Sequence, residues 1–487
     1  MCPMKPDSYE TVCTSPGAIS KGERPKAVRA PAPQHHEPPN IDQFTGHNTG
    51  DYLNLGGAGF ADLNSCDLRE KYGKIVELTG NLLEAEGISA ATGDICRIVH
   101  SESPHPILAE VIGFETSRIK LCPLTHLNGV RPGSLVQVHK ASSSVMVSEA
   151  MLGRVLDGLG QPLDNGVPIS SGIPYPLAGK VSNPLKRPLI EQQLDLGVRC
   201  VNTLLPIGRG QRIGIFAGSG VGKSTLLGMM ARYTGADVNV IALIGERGRE
   251  VNEFLENDLG TEGIKRSVVI VATSDQPATV RIRGAYLACA ISEFFRDLGK
   301  DVLFMMDSAT RLAMAQREIG LAAGEPPTTK GYTPSVFSLL PRLFERSGRF
   351  DGASITGIYT VLVEGNDMED PVADTLRSIL DGHIVLDRGL AQKRHFPAID
   401  VLESVSRLTE RLLSDRYKEL ASRFIRILAD YKNSEDMIRI GAYVRGSHQE
   451  TDYAIKMIEK ANEFLMQPVI ESCSIEESFA ALEELFQ

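Results

Sequence analysis

The chain lacks any uninterrupted apolar run of about 20 residues, the length that crosses a hydrocarbon core, so no membrane-spanning helix is expected. It also begins without the apolar stretch of a signal peptide, which predicts a cytosolic protein. Its eight cysteines, Cys2, Cys13, Cys66, Cys96, Cys122, Cys200, Cys289 and Cys473, include no C-x-x-C pair and no histidine at ligand spacing. That argues against a zinc module and predicts reduced thiols. Aromatic residues are scarce where a single-strand platform would need them: between residues 73 and 140 Phe114 stands alone, apart from histidines. With a net charge of −10, general polyanion binding is not expected, and the chain is read as making no nucleic-acid contact.

What is present is an ordinary globular composition, 42% hydrophobic and 23% charged over 487 residues, too long for a single core and enough for roughly two to four domains. Residues 1–70 are expected to be a mostly disordered, proline-rich extension: eight prolines fall in the first forty positions, with few large apolar groups to offset ordering entropy. The pair His35-His36 there has no third ligand nearby and reads as part of a solvated tail.

From residue 71 to 140, short apolar stretches alternate with turn residues, the spacing of a small β-barrel. Glycine and proline crowd 141–185, a linker-like run. Over 186–407 the period changes, with apolar strands at 213–217, 240–244, 268–272, 302–306 and 355–363 separated by helical stretches. Such alternation predicts an α/β fold, a parallel sheet with helices on both faces, whose ligands collect beyond the carboxyl ends of the strands. From 408 to 487, Leu412, Leu413, Tyr417, Leu420 and Phe424 recur at helical intervals and predict a bundle.

The sharpest signal is Ile213 to Thr225, an apolar strand that runs into Gly218-Ser219-Gly220-Val221-Gly222-Lys223-Ser224-Thr225. Glycines let successive N–H groups turn onto one triphosphate, a following helix offers its positive end, Lys223 reaches the outer phosphates and Ser224 suits Mg²⁺. The first position of the usual pattern is Ala217 here, with three glycines remaining. A second strand delivers Asp307 to the same edge, a carboxylate suited to holding Mg²⁺ through water. A third, Val240 to Ile244, leads into Gly245-Glu246-Arg247. In-line attack on a terminal phosphate needs a water oriented by an acceptor outside the metal shell, and Glu246 is the candidate; the alternative is an acid complementing a helix N-terminus. Arg247 and Arg311 are read either as phosphate sensors or as surface ion pairs.

With these pieces in order, the chain resembles the protein-export ATPases of the bacterial flagellum, relatives of the catalytic subunits of rotary ATP synthases. The likeness covers residues 73 to 487 and rests on Gly210-Gln211-Arg212, FAGSGVGKSTLLGMMAR (216–232), ALIGERGREV (242–251), Met306-Asp307-Ser308, AMAQR (313–317), GEPPTTKG (324–331), DGHIV (381–385) and PAIDVLESVSR (397–407). It implies a RecA-like core that binds ATP and Mg²⁺ in a ring of six identical subunits, each supplying an arginine to its neighbour's site; Arg407 sits at the matching position. Phe396 falls where relatives place an aromatic ring against adenine, with a core phenylalanine as the other reading. The resemblance further implies a barrel that holds the ring together, and C-terminal helices that face an export gate and a central stalk protein. It also implies a regulator at the N-terminus, exported proteins as substrates, and a peripheral place at the cytoplasmic face of the inner membrane. A virulence injectisome motor shares the same catalytic residues, and a rotary synthase subunit is disfavoured because Ile440 to Ser447 replaces the usual run of acids. A non-catalytic ring subunit is disfavoured by the joint presence of Lys223, Glu246, Asp307 and Arg407.

Overall fold

The computed structural model describes residues 71–99, 106–140, 144–169, 171–179, 183–363 and 369–487. The proline-rich extension and His35-His36 lie outside the described residues.

Six strands, β1 (Tyr72–Thr79), β2 (Leu82–Glu86), β3 (Ile95–Val99), β4 (Ile107–Glu115), β5 (Arg118–Pro123) and β6 (Leu135–Lys140), close into a barrel in the order β1-β2-β5-β4-β3-β6. Alternate residues point inward, so Ile75, Leu83, Ile98, Val111, Leu121 and Val136 fill the interior.

The segment expected to be a linker does more than connect. β7 (Ser144–Val147) pairs antiparallel with β9 (Ile173–Pro176), while β8 (Val155–Asp157) joins the next sheet as a parallel edge strand beside β12. Arg154 and Asp164 brace the intervening loop, and the guanidinium hydrogen bonds hold the Asp164 carboxyl down at about 2. Glycine and proline density hid a strand of only three residues.

The central sheet contains β8, β10 (Arg212–Ala217), β11 (Val238–Ile244), β12 (Ser267–Ala272), β13 (Asp301–Asp307), β14 (Gly348–Phe350), β15 (Ala353–Leu362), β16 (Gly382–Leu386) and β17 (Ile399–Ser406). Its order is β17-β16-β10-β15-β13-β11-β12-β8, parallel except for β14 against β15 and β17 against β16. The inner strands are buried on both faces. Their period of two divides the apolar side chains between two cores: Val240, Ala242, Ile244, Phe304 and Met306 enter one, whereas Ile241, Leu243, Leu303 and Met305 enter the other.

The C-terminal helices Asp415–Arg439, Gln449–Leu465 and Ile475–Leu485 complete the second of those cores with Phe424, Phe464 and Phe479. Tyr417 stacks on Phe479 at 3.8 Å, and a capping box between Ser474 and Glu477 starts the last helix. Cys96, Cys122, Cys200, Cys289 and Cys473 are free and buried; burial pushes the Cys122, Cys200 and Cys289 thiols up to about 12, where they are inert. No helix among the described residues is long and apolar enough to cross a membrane.

Candidate active site

β10 ends at Ala217, which pairs with Leu362 on one side and Leu386 on the other and is 2% exposed. The position that usually carries glycine is therefore still strand, where a methyl group packs without cost. The chain then turns through Gly220 (φ 76°) and Gly222 (φ 90°), left-handed values that a side chain would strain, and Val221 anchors the turn in the core. The helix Lys223–Tyr233 starts at once, and no side chain caps its first turn. Its leading N–H groups are thus left for a ligand at the positive end of the helix dipole.

β13 brings Asp307 to the same edge, and β11, its neighbour, leads through Gly245 to Glu246. Lys223 joins them: its Nζ lies 2.5 Å from Asp307 Oδ1 and 3.7 Å from Glu246 Oε1, all three side chains being no more than 15% exposed. Burial alone would drive the ammonium toward neutrality, but the two carboxylates outweigh it and raise the Lys223 pKa. Burial, then the nearby charge of Asp307, pushes Glu246 up to about 7 against the pull of Lys223, with Glu250 adding to the rise. A carboxyl poised there can accept a proton or orient a water near neutral pH.

The other candidates divide. Phe396 is 38% exposed, and its ring stands 3.6 Å from where a Cβ on Gly222 would be, so it is at the rim of the loop and outside the core. Arg311 packs against Gly245, and its buried Nε has no hydrogen-bond partner. Arg247 points into solvent and pairs with Glu250 at 3.3 Å; the structure does not bring it to Lys223. Arg407 follows β17 and is exposed, its Nη2 donating to the Arg377 carbonyl at 3.0 Å. Because Ser406 pairs with Gly382, at the start of β16, Arg407 emerges at the end of the sheet opposite the phosphate loop. That end is roughly 16 Å of strand away, five steps of about 3.3 Å.

Sequence reasoning missed one contributor: Thr360 on β15 donates to Asp307 Oδ1 at 2.7 Å. Thr225, already read as part of the loop, donates to the partly buried Asp258 on the neighbouring helical turn. A threonine in an apolar strand carries no signal of its own, whereas Glu250, four residues past Glu246 on a helix, was within reach of spacing arguments.

Ser224 Oγ and Asp307 Oδ2 have no hydrogen-bond partner among the described residues, which leaves two hard oxygens free beside the loop and fits Mg²⁺. The uncapped helix start and the orphaned Arg311 Nε fit an anion. A lysine held between two acids is an ammonium waiting for phosphate oxygens, and it places the chain among the phosphate-loop ATPases with a RecA-like core. The particular branch comes from comparison. Residues 197–406 match the ATP synthase alpha/beta family, nucleotide-binding domain, and residues 413–484 match the T3SS EscN ATPase C-terminal domain. The chain is 53% identical over 424 residues to the flagellum-specific ATP synthase of Bacillus subtilis (strain 168), covering 87% of this chain and 97% of that protein. It is 45% identical over 421 residues to the type 3 secretion system ATPase of Xanthomonas euvesicatoria, covering 86% and 95%. The assembled ATPase EscN of the enteropathogenic E. coli type III secretion system superposes with a TM-score of 0.81 at 44% identity, over 85% of this chain and all of that one. The chain belongs to the ATP synthase alpha/beta family, in the branch of the flagellum-specific and type III secretion ATPases.

Proposed function

We propose that this protein is a Mg²⁺-dependent ATP hydrolase that energises flagellar type III protein export as a ring of six identical subunits. The observation that carries the proposal is the convergence of Lys223, Asp307 and Glu246 from three separate segments at one sheet edge. Lys223 would exchange its carboxylates for the outer phosphates, the loop N–H groups would hold the anion, and Ser224 with Asp307 would hold the metal. Bound Mg²⁺ supplies neutralisation of phosphate charge. Glu246 then accepts a hydrogen bond from water aligned with the terminal phosphorus; the water oxygen bonds phosphorus as the bond to ADP breaks, and the proton leaves toward Glu246.

The position of Arg407 supports a site shared between subunits: it stands too far from its own Lys223 to touch the same phosphate, and a cyclic ring would bring it to a neighbour's. An arginine there would stabilise charge on the transferring group. Phe396 on the loop rim would face the base. The related EscN has been solved assembled and in complex with its central stalk EscO, which supports a stalk partner here. An export gate, an N-terminal regulator, exported proteins as cargo and a peripheral cytoplasmic site at the inner membrane complete the reading. Flagellar service is favoured over an injectisome because the flagellum-specific relative in Bacillus subtilis is 53% identical, against 45% for the Xanthomonas secretion ATPase.

Glu246→Gln tests the chemistry. The variant should bind Mg²⁺·ATP with near-native affinity by equilibrium titration and lose on the order of 10²- to 10⁴-fold in kcat. Native turnover would remove Glu246 from the mechanism.

A further inference from the structure

Asp307 is held by two protein donors on the same atom. Lys223 Nζ reaches Oδ1 at 2.5 Å and the Thr360 hydroxyl donates to that same Oδ1 at 2.7 Å, while Oδ2 has no hydrogen-bond partner among the described residues. Thr360 is fully buried on β15, the strand between β10, which leads into the phosphate loop, and β13, which ends in Asp307. It pairs with Ile215 on one side, and its neighbour Tyr359 pairs with Met306 on the other. A competing acceptor, the Met306 carbonyl, is longer at 3.4 Å. The end of β15 is stitched a second time, since Leu362 N donates to Thr310 Oγ1 at 2.9 Å, three residues past Asp307.

The two donors differ in how long they can stay. An ammonium that must reach phosphate oxygens gives up its carboxylate partner, whereas a hydroxyl on the adjacent strand has nowhere else to go. We propose that Thr360 is a positioning residue: its hydroxyl fixes the Asp307 carboxylate so that Oδ1 stays on the protein and Oδ2 faces the metal when Lys223 turns to the nucleotide. The inference rests on the reading of Asp307 as the metal-holding group. A hydrogen bond to a charged acceptor is the stronger kind, and its removal inside a buried site leaves the carboxylate free to rotate about its last torsion.

The test uses the full chain and two substitutions of close volume. Thr360→Val keeps the branched shape and removes the donor; Thr360→Ser keeps the donor. Mn²⁺ binding in the presence of ADP, followed by the paramagnetic resonance signal of free Mn²⁺, gives a readout separate from turnover. Thr360→Val should need roughly tenfold more Mn²⁺ for half-saturation, with a matching rise in the Mg²⁺ needed for half-maximal ATPase, and Thr360→Ser should stay within about threefold of wild type. Wild-type Mn²⁺ affinity in Thr360→Val would overturn the proposal, as would equal weakening in Val and Ser, which would assign the effect to packing. Asp307→Asn separates the underlying reading: if it too binds Mn²⁺ normally, the metal assignment falls; if it alone weakens binding, only the role of Thr360 falls.

Discussion

At the scale of single residues the site is governed by two acids and one ammonium in a half-dry setting. Burial, and after it the charge of Asp307, raises Glu246, whose carboxyl titrates near 7. In the proposed mechanism Glu246 must be ionised to accept from water, so kcat/KM should fall about tenfold per pH unit below that value. A pH–rate profile of wild type read at low ATP checks this, and a flat profile from pH 5.5 to 8 would contradict it. The sign for stability is opposite. The folded chain holds this proton more tightly than the unfolded chain does, so stability is lost as pH rises from about 4.5 to about 7. Lys223, Asp307 and Glu246 were all legible in the sequence, because glycine spacing and strand-terminal acids are local patterns. Thr360 was not: its role depends on a partner 53 positions away along the chain. Arg247, read as a possible sensor because it follows Glu246, turns outward to Glu250 because it precedes the helix Gly248–Glu253 and points away from the sheet edge.

At the scale of elements, the phosphate loop is held from behind. The helix Lys223–Tyr233 packs on the turn Phe254–Leu259, and Gly228 is the contact: a Cβ there would come within 2.6 Å of the Asp258 carbonyl oxygen. Gly228→Ala should therefore destabilise the fold by about 1–3 kcal/mol, because the obstacle is backbone and cannot swing aside. Denaturant unfolding of the two proteins measures it, and equal midpoints would show that the helices separate freely. The parallel strands that frame the loop were visible as apolar runs, within two residues of their observed ends. β8, β16 and β17 were not, since three to eight half-buried residues amid glycine, histidine and acids carry no continuous apolar signature. Helical periodicity did reveal the C-terminal elements, but not that Phe424, Phe464 and Phe479 share a core with the sheet, a fact that depends on tertiary packing alone.

At the scale of the whole molecule, one reversed strand matters most. β17 runs back along β16, so the chain carries its loop at one pole of the sheet and Arg407 at the other. In the proposed shared site such a subunit is half a donor and half an acceptor, so two differently broken subunits should repair one another. Lys223→Ala and Arg407→Ala, each inactive alone, should regain turnover when dissociated, mixed in equal amounts and reassembled, because about a quarter of the junctions in a randomly mixed ring then unite an intact loop with an intact arginine. Mixtures as silent as their parents would mean that each chain fires by itself.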